Sequence, residues 1–334
     1  MCTMRISALS VVVATATALA AAPNYHVLGQ IPVGGDGGWD YLIADSASHR
    51  LFVSHATHVV VIDTESNKVV GDIPDTPGVH GIALAPKLNK GFISNGRGNN
   101  VTVFDLKSLK TLDHVATGEN PDAIFYEPKT NRVFTFNGRS KNSSVINADT
   151  LKVEGTIDLG DKPEFAVGSG NGTIYVNLEN THQIAVVDAG KMTVTKKYDL
   201  AGCDSPSGLA LDAAHTRLFS VCDGKVMAVS DPSTGKVVAT PTIGDGPDAA
   251  AYDAARGYAF TSNGDGTLSV VSGSGNKYTV AQTVQSHRGA RTMALDEKTH
   301  KLYLPVAEYE SSAAPGQKRP PMKPGSFAIL IVGE

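Results

Sequence analysis

The stretch Pro121-Asp122-Ala123-Ile124-Phe125-Tyr126-Glu127-Pro128 sets the reading of the whole chain. It is a turn, a polar residue, a short apolar run and a second turn. Close variants of it recur. They are Asp40-Tyr41-Leu42-Ile43-Ala44-Asp45, His80-Gly81-Ile82-Ala83-Leu84-Ala85, Glu164-Phe165-Ala166-Val167-Gly168, Ser207-Gly208-Leu209-Ala210-Leu211-Asp212, Asp248-Ala249-Ala250-Ala251-Tyr252-Asp253 and Arg291-Thr292-Met293-Ala294-Leu295-Asp296. The leading residues 40, 80, 122, 164, 207, 248 and 291 follow one another at intervals of 40 to 43. Self-similarity at that period marks a repeat architecture.

Each unit contains four short runs rich in Val, Ile, Thr and Phe, bounded by Asn, Gly, Asp, Ser or Pro. In the first unit they are predicted over 41–44, 50–54, 58–63 and 68–73. Such runs read as antiparallel strands, and no helical period appears beyond the N-terminal segment. Four strands per unit and seven units predict an all-β, seven-bladed β-propeller. A single sheet of this kind cannot cover its own two faces, so neighbouring blades must stack into one core. The last unit offers only three strands, over 291–295, 301–305 and 327–332. The stretch 25–33 has the pattern of an outer strand and is expected to pair into the seventh blade, closing the ring and removing two open edges.

The 334 residues therefore divide into a leader and one domain. Arg5, the apolar run 6–19 and Ala18-Leu19-Ala20 form a secretory signal pattern. Cleavage after Ala20 leaves residues 21–334 as a single propeller, expected in the periplasm or secreted. A Pro-rich insertion, 309–325, interrupts the last blade, and it is expected to act as a lid, as a docking loop or simply as an insertion. No later stretch is long and apolar enough to span a bilayer. Twenty-nine basic residues against 33 acidic ones give a net charge of −4, which argues against nucleic-acid binding through a general positive field. In an exported protein Cys203 and Cys222, which fall on one face of the fifth unit, are expected to form a disulfide; Cys2 leaves with the leader.

The repeat phrases, together with "RLFVSHATHVVVIDTESNKVVGDIP" and "KGFISNGRGNNVTVFDLKSLKTLDHVATG", resemble the YVTN-repeat propellers, and more narrowly the exported bacterial proteins called YncE-like. "SPSGLALD", "RLFSVCDGKVMAVSD" and "RGARTMALD" carry the same likeness through the C-terminal half. The resemblance implies a seven-bladed propeller and, in some relatives, a ligand- or nucleic-acid-binding surface. Related propellers include lactonases and lyases. The repeat encodes blade packing rather than chemistry, so it leaves activity open.

In a propeller the loop leading into each innermost strand and the loop joining the second and third strands share one face. That geometry predicts a polar funnel built from Asp40, His80, Asp122, Glu164, Ser207, Asp248 and Arg291, with His55 and Glu308 at the ends of second strands. Asp and Asn are also ordinary turn residues, bonding their own backbone. Arg291 would clamp an anion or neutralise the carboxylates. Asp40, His55, His80 and Asp122 are a candidate metal-ligand set, although no tight ligand spacing supports one. Ser207 lies outside a G-x-S-x-G elbow. The expected function is non-catalytic binding of a small molecule or protein partner at the funnel by a monomer. The alternative is a funnel-sited hydrolase or lyase, lactonase-like and metal-dependent or not. No cofactor is indicated by the sequence.

Overall fold

The computed structural model describes residues 22–311 and 320–334. They form seven four-stranded antiparallel sheets in a ring. Six sheets run in simple sequence order from the innermost strand outward, the first being Leu42–Asp45, Arg50–His55, His58–Asp63 and Lys68–Ile73. The seventh holds Ala294–Asp296, Lys301–Val306 and Ala328–Gly333, and its outer strand is His26–Pro32 from the other end of the chain. That strand lies antiparallel to the C-terminal one, from His26 opposite Gly333 to Pro32 opposite Ala328. The side-chain amide of Gln282 exchanges two hydrogen bonds with the backbone of Tyr25, tying the closing strand to blade six as well.

Burial explains the strand compositions. The second and third strands of a blade are covered on both faces, as in Arg50–His55 and His58–Asp63, and read as near-continuous apolar runs. Outer strands such as Lys68–Ile73 are largely exposed and carry the charges. The apolar core is divided into seven clusters, and each bridges two neighbouring blades. Phe52 of blade one, for example, packs on Phe104 of blade two with ring centroids 5.8 Å apart. No blade has a core of its own, so the ring is one cooperative body. The only helical element among the described residues is a single 3₁₀ turn, Pro86–Leu88, and none of their helices is long and apolar enough to cross a membrane. The leader, 1–20, and residues 312–319 of the insertion lie outside the described residues.

Cys203 and Cys222 are disulfide-bonded, with Cα atoms 5.3 Å apart. The bridge ties the approach to the innermost strand of blade five to the end of its second strand, on the face that carries the leading residues.

Candidate functional site

Two local devices aim the leading residues into the channel. In blades two, three, four and six the innermost strand opens with a register shift, between Val79 and Ile82, Pro121 and Ile124, Pro163 and Ala166, and Pro247 and Ala249. His80, Asp122, Glu164 and Asp248 fall inside these bulges, where the extra residue is released from the ladder and its side chain re-aimed. The second device is a stitch between blades. Ser94 donates to the carbonyl of Asp122, Asn177 to that of Ser207 (2.8 Å), Ser262 to that of Arg291 (2.6 Å), and Thr292 to that of Asp40 (2.8 Å). Each leading residue held in this way has its backbone fixed by the adjoining blade.

The result is a cavity of about 430 Å³ at one mouth of the channel. Asp40, His80, Asp122, Glu164, Ser207, Asp248 and Arg291 all line it. Tyr41, Lys162, Glu179, Ser205 and Asp223 line it too, none of them a leading residue of the repeat. Glu179 and Asp223 each follow a second strand by one residue. Asn177 instead points into the wall, where Ser220 also donates to it. The Asn residues that do end second strands, Asn95, Asn137 and Asn263, are buried and donate to the facing strand, at Thr102, Ser144 and Ser269. They hold hairpins together and do not face the funnel.

Two expected funnel residues lie elsewhere. His55 is buried, stacked on Phe327 with centroids 4.1 Å apart, and does not line the cavity. A four-residue metal set with two imidazoles is therefore not assembled. Glu308 lies 3.1 Å from His287 Nε2 and lines a neighbouring cavity of about 820 Å³, shared with Trp39, Arg288 and Tyr309. Arg291 borders both cavities. The Ser207 hydroxyl is directed at the carbonyl of Pro247 (3.2 Å), so it forms no Ser–His pair with His80.

Three groups of charge organise the site. His80 Nδ1 is hydrogen-bonded to Asp40 Oδ2 at 2.6 Å and stands 3.7 Å from Asp122 Oδ1. Lys162 bridges Glu164 and Glu179. Arg291 Nη1 is 3.4 Å from Asp248 Oδ2. Burial works against a charged His80, but the bond to Asp40 and the charges of Asp122, Asp40 and Glu164 outweigh it and push its pKa up to about 8. Burial, then repulsion from Asp40, raises Asp122 to about 7. Burial raises Asp248 to about 6, with Arg291 pulling the other way. Burial and the hydrogen bond to Glu179 push Glu164 upward, whereas Glu179 is held low by Glu164 and Lys162 against the effect of its own burial. In this pair Glu164 is the side that keeps the proton.

Below the carboxylates, Tyr41 of blade one meets Phe165 of blade four across the channel, with centroids 5.1 Å apart. Burial and the surrounding carboxylates hold the Tyr41 phenol well above its usual range, so it stays neutral. The opposite mouth is a different environment, a cavity of about 490 Å³ bordered by Leu42, Leu84, Ala250, Met293 and Leu295.

Comparison with known proteins supports the architecture. No protein-family model matches the chain, and no curated protein does either. Among solved structures it is similar to a chain of hydrazine synthase from Kuenenia stuttgartiensis, at 15% identity and a TM-score of 0.70, over 84% of this chain and 95% of that one. It is also similar to U3-55K, at 11% identity and a TM-score of 0.75, over 92% of this chain and 98% of that one. At these identities the likeness is one of fold alone. The chain is a seven-bladed propeller.

Proposed function

We propose that the protein is a binding module whose carboxylate-rich funnel takes a small, positively charged ligand. The observation that carries this reading is the charge of the cavity lining. Asp40, Asp122, Glu164, Glu179, Asp223 and Asp248 outnumber Lys162, Arg291 and His80, and the bulges direct four of the leading side chains into one space. Burial, and after it the charge of neighbouring carboxylates, raises Asp122 and Asp248, and a cation among them favours their ionised forms. The disulfide Cys203–Cys222 supports work in an oxidising compartment, consistent with the signal pattern of residues 1–20 and with membership of the YVTN-repeat, YncE-like exported propellers. A second reading, lactone or ester hydrolysis or a lyase reaction, is favoured by the His80–Asp40 pair and by an Asp122 that titrates near neutrality, both suited to acid–base work.

The test is calorimetry with small ammonium and guanidinium compounds and divalent metal ions, with dicarboxylates as the opposite-charge control. Cationic probes are expected to bind, and Asp40→Asn together with Asp248→Asn to weaken them at least tenfold, about 1.4 kcal/mol. Binding of dicarboxylates alone, or cation binding indifferent to both substitutions, would overturn the proposal. Turnover of lactone esters that is lost in His80→Gln would move the assignment to the second reading.

A further inference from the structure

The wall between blades one and three has a more specific composition than a general negative surface. One imidazole nitrogen and two carboxylate oxygens, from Asp40, His80 and Asp122, all lie within 4.8 Å of one another. They come from three consecutive blades, so the spacing is built by the ring and leaves no trace of a ligand motif in the sequence. The imidazole is fixed in orientation. A Cβ placed on Gly96 would stand only 2.6 Å from His80 Nε2, so that edge of the ring is packed against backbone and Nδ1 is the atom offered to the carboxylates.

Asp122 supplies a second, independent observation. Its Oδ1 is sealed from solvent and has no hydrogen-bond partner, although it faces His80 Nδ1 across 3.7 Å. A buried carboxylate oxygen left without a donor is costly, and structures rarely tolerate one without a reason. Lys162, the cation on the adjoining wall, is committed to Glu164 and Glu179 and does not fill the gap. The three side chains remain 14 to 28% exposed and all line the cavity, although Asp122 Oδ1 itself is covered.

We infer that Asp40 Oδ2, His80 Nδ1 and Asp122 Oδ1 form a three-ligand site for a divalent first-row transition-metal ion, Zn²⁺ or Mn²⁺, with its remaining positions open to the funnel. This rests on the reading of the funnel as a cation-binding cavity and names its occupant. Neighbouring ligands on bonds of about 2.1 Å stand about 3.0 Å apart at right angles and about 3.4 Å apart in a tetrahedron. The two imidazole–carboxylate separations, 2.6 and 3.7 Å, straddle those values and all three atoms lie within 4.8 Å of one another, so seating an ion calls for side-chain adjustment. Two carboxylates balance the double charge. The imidazole selects against Ca²⁺ and Mg²⁺, which take oxygen ligands and, for Ca²⁺, six to eight of them.

The experiment is titration of the chelator-treated protein with Zn²⁺ and Mn²⁺, followed by metal analysis after dialysis. One equivalent of ion is expected. His80→Gln or Asp122→Asn should weaken binding by more than roughly a hundredfold, the upper range seen for groups that merely support a ligand. Gly96→Ala, which leaves all three ligands in place but presses on the imidazole, should weaken it about tenfold. Pulsed EPR on the unsubstituted Mn²⁺-loaded protein provides a second readout that does not depend on the folding of a variant, with coupling to one imidazole nitrogen expected. Ion binding that survives His80→Gln unchanged, nitrogen-free EPR, or a preference for Ca²⁺ would overturn the inference. Organic ammonium compounds that bind while metal ions do not would sink the metal site and leave the funnel reading standing. If neither class binds, both fall.

Discussion

His55 shows how a histidine at a strand end can serve packing alone. It lies between the rings of Phe327 and His58 and beneath Gly35, where a Cβ would come within 2.8 Å of it. Burial, reinforced by the positive charge available to His58, lowers its pKa from 6.5 to about 4. The folded protein therefore holds His55 neutral over a range in which the unfolded chain takes up a proton. Stability contributed by this site is complete above pH 6.5, declines as pH falls from there towards 4, and is fully lost below that. The loss is at most about 3 kcal/mol, taking 1.36 kcal/mol per unit. His55→Phe should flatten this part of the pH–stability curve, as measured by urea denaturation between pH 7 and 4. An unchanged slope would mean that His55 gains a proton in the folded state. The same reasoning separates His55 from His80, whose partners act in the opposite direction.

At the scale of elements, the leading strands and their bulges are where the sequence was most informative and also where it stopped. The repeat of Asp40, His80, Asp122, Glu164, Ser207, Asp248 and Arg291 was legible because each begins the same turn-and-strand phrase, and all seven reach one cavity. The ends of the second strands were not legible to the required precision. A slip of one residue in a strand sends the side chain to the other face, and that slip separates the buried Cys222 from the cavity residue Asp223. Lys162 carries no sequence signal of its own, because its role depends on two partners, Glu164 and Glu179, that only the fold brings to it. The disulfide could be read from the sequence because both cysteines fall in one blade. Its bridge spans 19 residues, so replacing Cys203 and Cys222 together by Ser should cost about 3 kcal/mol in the chain-entropy account. Chemical denaturation of the oxidised protein and the double variant measures the difference, and equal midpoints would show that packing around the two sites carries the stability instead.

For the whole molecule, closure is the feature on which the rest depends. Seven interface clusters share one ring, and the seventh includes Ile31 of the closing strand, while Tyr25 just before it packs on Phe260 at 5.0 Å. Deleting residues 1–33 would uncover the edge of Ala328–Gly333 and remove apolar cover from two interfaces at once. The truncated chain is expected to lose its single cooperative melting transition and to associate through the bared edge, visible in calorimetry and size-exclusion chromatography. A truncated monomer with the melting behaviour of the full chain would show that six complete blades and a partial one suffice. The number of blades could be read from the period alone, because packing repeats in sequence. The pairing of the funnel charges could not, because Asp40, His80 and Asp122 belong to three blades and meet only in the ring.

The meeting of Tyr41 and Phe165 gives the molecule a direction. Two aromatic rings from blades one and four meet between the carboxylate mouth and the other mouth, which Leu42, Met293 and Leu295 border together with Asp45 and Glu297. Under the proposed binding role, a ligand that meets the carboxylates approaches from this face, so delivery and collection would share one side of the ring.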